Sequence, residues 1–353
     1  MSREPVRAIV VDDSTTARTL LVAILGADPG IEIVGEAATG ADALEAVRTL
    51  RPSVVVMDIE MPVLDGFEAT KRIMAERPTP IVIVTANRNP GDVATSLQAT
   101  QLGALTVQPK PPAPGTPAFR READRLVSLV KALADVRVVR RRPGQLAEPP
   151  MPPRPPRGRP LRVVGVAAST GGPAALYRFI AALPDDLSIP VLVVQHIAEG
   201  FVHGLVRWLN AASLMAVKVA VDGEDLDAAT VYVAPDGAHL RVDGRRVLLD
   251  GGSAFRGFRP SGSVLLESLA ASYGSSAAGV VLTGMGSDGL EGARALRGRG
   301  GLVLAQDEGT STVFGMPRAV ADAGLADVVG PVEDLAAWLA PACQREQRQK
   351  EQR

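Results

Sequence analysis

Short apolar runs of five to eight residues recur along this 353-residue chain and constrain its fold more than any other feature. Five precede residue 110: "VRAIVV" (6–11), "IEIVGEA" (31–37), "SVVVMD" (53–58), "PIVIVTA" (80–86) and "ALTVQ" (104–108). Four follow residue 160: "LRVVGVAA" (161–168), "PVLVVQH" (190–196), "AAGVVLTG" (277–284) and "GLVLAQ" (301–306). Amphipathic stretches such as "TARTLLVAILGA" (16–27) and "GADALEAVRTL" (40–50) lie between them. Runs this short are strand-length, and strands alternating with helices imply parallel sheets covered on both faces. The reading is α/β, with two doubly wound parallel-sheet domains. The second adds a β-hairpin excursion, "HLRVDGRRVLL" (239–249), turning at Asp243-Gly244.

The segment between the two sets, "RRRPGQLAEPPMPPRPPRGRP" (140–160), is dense in proline and arginine. It has nothing to bury in a core and reads as a semi-extended spacer rather than a basic binding tract. The expected organisation is a first domain over 1–136, a Pro/Arg-rich linker over 137–160, a second domain over 161–342 and a polar tail over 343–353. A net charge of −1 gives no overall attraction to nucleic acid or to a membrane surface. The single cysteine, Cys343, excludes an internal disulfide framework and fits a reducing compartment. No apolar run approaches the ~20 residues of a membrane span, and the start "MSREPVRAIVVDD" does not read as a signal peptide. A cytoplasmic protein with no direct membrane insertion is expected.

Polar residues stand where the first five runs end. Asp12 and Asp13 follow the first, Asp58 ends the third, Thr85 ends the fourth and Lys110 follows the fifth. A doubly wound sheet gathers such positions at one edge, where ligands bind. Clustered carboxylates repel one another unless a cation intervenes, and a hard ion held by oxygens, Mg²⁺ in this reading, answers that need. Asp58 is then a candidate carboxylate nucleophile toward a phosphoryl group, with Lys110 and Thr85 to hold its oxygens. Helix capping would explain any one of these acids, but not five polar residues at strand ends in this order.

"VVDDS", "MDIEMPVLDG", "VTA" and "PKP" resemble the response-regulator receiver domain over residues 6 to about 134. The resemblance implies a flavodoxin-like fold and phosphorylation of Asp58 by a histidine kinase, with Asp12, Asp13, Asp58 and the Glu60 backbone carbonyl around Mg²⁺. It assigns Thr85 and Lys110 to the switch hydroxyl and the lysine of the family. Val107 stands where the family often has an aromatic switch residue, and Pro109 before the lysine is unusual.

In the second domain, "VVGVAASTGGP" (163–173) ends a strand on Ser169, Thr170 and two glycines. It lacks the P-loop lysine, the dinucleotide glycine pattern and the G-x-S-x-G elbow. Ser169 is thus a cap, a phosphate-cradle hydroxyl or a nucleophile, and a nucleophile needs a base and an orienting acid. The chain has three histidines: His196 at the end of a strand, His203 in the next helical stretch and His239 at the start of the hairpin. Position favours His196 as base. "VVLTGMGSDG" places Asp288 beyond a further strand, with glycines that let backbone N–H groups face a reacting oxygen. Asp288 alone reads equally well as a helix cap. Ser169, His196 and Asp288 together, each following a strand, favour a triad.

"GVAASTGGP", "VVQH", "APDGAHL", "RPSGSVLLESLA", "VVLTGMGSDG", "LAQDE" and "FGMPRAV" resemble the catalytic domain of the CheB-type protein-glutamate methylesterases, over 161 to about 340. In that family a receiver precedes a Rossmann-like esterase domain. The resemblance implies that Ser169, His196 and Asp288 form the triad, and that Thr170 and Met285 line the site, Met285 donating its backbone N–H to the oxyanion. It implies phosphorylation-activated demethylation of chemoreceptor glutamates with methanol release, deamidation of receptor glutamines, and no cofactor for the esterase step. It further implies a chemotaxis-type histidine kinase as phosphodonor and an unphosphorylated receiver that covers the pocket. Departures stand at "HIAEGF", where a methionine and prolines are usual, at "GSDG" and at "RPSGS". The other readings are a receiver-linked esterase of a different pathway and a phosphorylation-controlled binding module on a retired esterase.

Overall fold

In the first unit the five apolar runs become strands β1 (Val6–Val11), β2 (Ile31–Ala37), β3 (Val54–Asp58), β4 (Ile81–Thr85) and β5 (Thr106–Pro109). They form one parallel sheet in the order β2-β1-β3-β4-β5. Strands β3 and β4 are buried along their whole length, which is why they read as continuous apolar runs rather than alternating ones. The intervening helices start where a short polar side chain takes an end N–H: Ser14 from Ala17, Thr39 from Asp42, Asp65 from Glu68 and Asn89 from Asp92. The chain leaves β1 toward β2 and returns to the other side at β3, so the sheet reverses direction between β1 and β3. In open α/β sheets ligands bind beyond the carboxyl ends at such a reversal.

In the second unit the strands are β6 (Val163–Ala168), β7 (Val191–Gln195), β8 (Ala216–Val219), β9 (Thr230–Val233), β10 (His239–Asp243), β11 (Arg246–Asp250), β12 (Ala277–Val281), β13 (Leu302–Gln306) and β14 (Val328–Gly330). Seven of them make a parallel sheet in the order β14-β13-β12-β6-β7-β9-β8, and β10 with β11 forms the separate antiparallel hairpin. This is the expected doubly wound sheet with a hairpin excursion, enlarged by β8, β9 and β14. Those strands have four, four and three residues, too few for a periodic signal. The hairpin turn lies one residue later than expected: Asp243 pairs with Arg246, leaving Gly244 and Arg245 at the tip. Gly244 takes φ +58°, the conformation a tight hairpin asks of its first residue. Strand β6 lies between β7 and β12, so this sheet also reverses direction at its centre.

The two compact units are Met1–Gln145 and Leu146–Arg353. The computed structural model describes residues 4–134, 136, 160–184 and 187–343. The expected linker, but for Pro160, and the polar tail from residue 344 lie outside the described residues, and Cys343 closes the last helix, Val332–Cys343. Among the described residues no helix is long and apolar enough to cross a membrane.

Candidate functional site

At the carboxyl edge of the first sheet, Asp12 is fully buried, Asp58 is buried and Asp13 is exposed. Each offers a carboxylate oxygen, and these oxygens lie within 4.8 Å of one another. Lys110 Nζ reaches between two of them, 2.7 Å from Asp12 Oδ2 and 2.8 Å from Asp58 Oδ2. Burial pushes the Asp58 carboxyl above its ordinary value; Lys110 pulls against this, and the Asp12 charge adds to it. Burial alone would lower the Lys110 ammonium, but the two carboxylates outweigh it and raise it. Thr85 is buried and its Oγ1 accepts from Asn87 N at 3.2 Å. The Glu60 carboxylate turns aside to accept from Asn87 Nδ2 at 2.9 Å. Val107 is buried on β5 beside Ile83 of β4. The alternative of helix caps fails here: the cap of the helix after β1 is Ser14, and Asp58 Oδ1 accepts from its own neighbour Ile59 N at 2.8 Å.

In the second sheet Ser169 follows β6, His196 follows β7 and Asp288 follows β12 after a loop, so three neighbouring strands bring all three to one edge. His196 Nε2 lies 2.9 Å from Asp288 Oδ2. The other ring nitrogen, Nδ1, is buried and has no protein partner among the described residues. Asp288 takes four further donors: Ser261 Oγ at 2.8 Å, Gly262 N at 2.6 Å, Ser263 N at 3.0 Å and Gly289 N at 2.9 Å. Gly262 and Ser263 open the helix Gly262–Tyr273, so the carboxylate sits at the positive end of a helix distant in sequence from its own loop. Burial would raise its pKa, but His196 and the Ser263 and Ser261 donors prevail and hold Asp288 far below the usual carboxylate range.

Ser169 is half-buried, and its backbone is tied down on three sides. Its N–H donates to Thr283 O at 3.0 Å, and its carbonyl accepts from Gly172 N and from Gln195 Nε2, both at 2.8 Å. The same Gln195 amide donates to His196 O at 2.9 Å, so one buried side chain spans Ser169 and His196. The Ser169 side chain stands over Gly284, where an added Cβ would lie 2.7 Å from Ser169 Cβ and 2.3 Å from Met316 Sδ. Thr170 is buried, and its carbonyl accepts from Thr283 Oγ1 at 2.9 Å. Met285 is exposed beside Gly284, and among the described residues no partner takes its N–H. His203 is exposed, and His239 is buried on β10.

Sequence reasoning did not single out Gln195, Ser261 or Phe258. The Phe258 ring stacks on His196 with centroids 4.2 Å apart and planes 4° apart. Ser261 carried a local signal, a serine just before an amphipathic run, but its bond to Asp288 spans 27 residues.

A family model described as CheB methylesterase matches residues 164–339, and one described as response regulator receiver domain matches residues 8–115. The chain is 51% identical over 343 residues to protein-glutamate methylesterase/protein-glutamine glutaminase 3 of Anaeromyxobacter dehalogenans (strain 2CP-C), covering 95% of this chain and 99% of that protein. It is 50% identical over 347 residues to the protein of the same description numbered 4 in Myxococcus xanthus (strain DK1622), covering 97% and 98%. The crystal structure of the Thermotoga maritima CheB methylesterase catalytic domain is similar at 37% identity and a TM-score of 0.50, over 51% of this chain and 98% of that one. By sequence, domain content and fold, the chain belongs to the receiver-linked CheB methylesterase family.

Proposed function

We propose that this chain is a phosphorylation-activated hydrolase that removes methyl groups from glutamate methyl esters of chemoreceptors and deamidates receptor glutamines. The observation that carries the mechanism is the 2.9 Å bond between His196 Nε2 and Asp288 Oδ2 at the same sheet edge as Ser169. A buried carboxylate costs desolvation energy, and holding one against an imidazole is useful when that ring must become charged.

His196 takes the Ser169 proton on Nδ1, the nitrogen that Asp288 leaves unoccupied. Ser169 Oγ attacks the γ-carbonyl, and the Met285 N–H with the loop at Thr170 stabilises the oxyanion, an effect of about 3–4 kcal/mol per donor in comparable sites. His196 returns the proton to the leaving oxygen, and methanol departs. Water then cleaves the acyl-enzyme, His196 again acting as base, to leave the receptor carboxylate and free Ser169. A glutamine follows the same course with ammonia as leaving group. Asp288 orients the ring and balances its charge throughout.

Control lies in the first unit, read as a receiver over 1–136 joined by the Pro/Arg-rich 137–160 to an esterase domain over 161–342. Asp12, Asp13 and Asp58 fit a hard divalent cation, because they offer oxygen donors within 4.8 Å of one another. With the Glu60 carbonyl they would hold Mg²⁺, which supplies charge neutralisation for a phosphoryl group arriving at Asp58. Lys110 bridges Asp12 and Asp58; in this reading its ammonium follows the transferred oxygens and the Thr85 hydroxyl meets them. The phosphodonor is a chemotaxis-type histidine kinase, and the reaction belongs in the cytoplasm where that kinase and the receptor tails meet.

The test is methanol release from methylated receptor cytoplasmic fragments, with and without a small phosphodonor and Mg²⁺. The expected result is release that rises with phosphodonor and is lost in Ser169→Ala. Release that persists in Ser169→Ala would overturn the assignment.

A further inference from the structure

Of the three histidines, His239 takes no part in the chemistry above, yet it is only 3% exposed. Both its ring nitrogens are engaged by backbone: Nδ1 lies 3.2 Å from Ser261 N, and Nε2 lies 3.1 Å from Ser253 O. An amide N–H only donates and a carbonyl only accepts. These partners therefore admit one state of the ring, neutral, with Nδ1 bare and the proton on Nε2.

The two partners are the ends of one loop. Between Ser253 and Ser261 the chain folds back on itself, and Phe255 and Phe258 exchange backbone hydrogen bonds of 3.0 Å in both directions. That turn delivers the Phe258 ring to the face of His196, 4.2 Å away and within 4° of parallel. The far end of the loop is Ser261, whose Oγ donates to Asp288 and which heads the helix whose Gly262 and Ser263 amides do the same. The exposed Arg259 also ties the loop, to the carbonyls of Gly251 and Gly252, but water competes there. His239, itself buried, holds the exposed Ser253 at one end of the loop and the buried Ser261 at the other.

We propose that His239 is a positioning residue for the hydrolytic site: it clasps the loop Ser253–Ser261 shut and so fixes two members of the triad at once. One end of its grip keeps Phe258 stacked on His196, and the other keeps Ser261 directed at Asp288. The inference rests on reading Ser169, His196 and Asp288 as the reacting groups.

The experiment uses the full chain and measures kcat and KM for methanol release by wild type, His239→Gln, His239→Leu, Phe258→Ala and Ser169→Ala. Glutamine keeps one acceptor and one donor; leucine keeps neither. His239→Leu is expected to lower kcat about 10- to 100-fold with KM little changed, since misplacement of reacting groups acts on the chemical step. His239→Gln is expected to recover most of that loss, a rescue that space-filling alone would not produce. Phe258→Ala, in a surface loop, is expected to lower kcat in the same way. It reports the link even where His239→Leu does not fold. In wild type, nitrogen spectra of the imidazoles at neutral pH are expected to show His239 with a protonated Nε2 and a bare Nδ1.

The inference is overturned by wild-type kcat in His239→Leu, by wild-type kcat in Phe258→Ala, by a glutamine variant no better than the leucine one, or by the opposite tautomer. Ser169→Ala separates the two levels of the argument. Activity surviving there removes the site itself. Its loss together with a normal His239→Leu removes only the clasp.

Discussion

His196 Nε2 meets Asp288 Oδ2 at 2.9 Å across 92 residues of sequence, and the carboxylate it meets is already held by four other donors. Both oxygens of Asp288 accept, and neither faces an acceptor. In Asp288→Asn the amide NH₂ must face donors on one side or the other: toward His196 it takes the ring's anchor or its tautomer, and toward Ser261, Ser263 and Gly289 it loosens the carboxamide that holds the ring. We expect kcat to fall about 10³–10⁴-fold with KM little changed, as for loss of the orienting acid in other triads. Methanol release measures it, and a variant within about tenfold of wild type would refute the role.

The same bonds set a pH dependence. The folded-state pKa of Asp288 is depressed, because the His196 and backbone donors outweigh burial. A depressed carboxyl contributes stability that is complete above its unfolded value, about 3.9, and that is lost as pH falls through the lower folded value. Asp288's own share of the difference in melting temperature between wild type and Asp288→Asn should therefore be complete at about pH 5 and shrink below about pH 4. Thermal denaturation across that range is the measurement; a difference that closes between pH 7 and pH 5 would contradict it.

Gln195 Nε2 donates to the carbonyls of both Ser169 and His196. Gln195→Leu leaves the His196 carbonyl without its donor, at about 1–3 kcal/mol, and leaves the Ser169 carbonyl with Gly172 N alone. Gln195→Glu sets a carboxylate against two carbonyl oxygens and should be the worse of the two. Urea unfolding ranks them, and equal stability would show that the amide polarity does not matter.

Gly284 has no room for a side chain, whereas a Cβ at Gly298 meets nothing within 4 Å. Gly284→Ala must displace Ser169 or Met316 and should lower kcat by about 10²-fold, the cost of an ångström-scale misplacement. Gly298→Ala, at the end of a helix, should leave kcat unchanged and stabilise by up to about 1 kcal/mol. Paired kinetics and melting curves check both; similar losses in the two variants would mean that the close contact at Ser169 is not what limits position 284.

In the first unit, Asp58→Asn should abolish the rise in methanol release with phosphodonor while basal release persists. Stripping divalent cations with a chelator should do the same to wild type, because Asp12, Asp13 and Asp58 offer the oxygens for a metal. Label transfer from the phosphodonor follows the step directly. Unimpaired labelling of Asp58→Asn would move the phosphorylation site elsewhere.

Much of this was legible in the chain itself. Alternating apolar runs and amphipathic stretches determined two doubly wound sheets, because strand and helix periodicity are local properties and short crossovers make the strands parallel. Polar residues closing those runs, Asp12, Asp58, Thr85, Ser169 and His196, marked the edge where sites form. The tertiary structure alone decided what these residues touch. Strand order put β12 beside β6 and β6 beside β7, and so brought Asp288 to His196. It lent Asp288 the amides of a helix begun at Gly262, set Phe258 on the imidazole and left Nδ1 without a partner among the described residues. It also added β8, β9 and β14, whose stability comes from neighbours in the sheet rather than from their own three or four residues. Local preference acts over a few residues. Contacts spanning tens of residues depend on how sheet and helices pack, and no short stretch of sequence encodes that by itself.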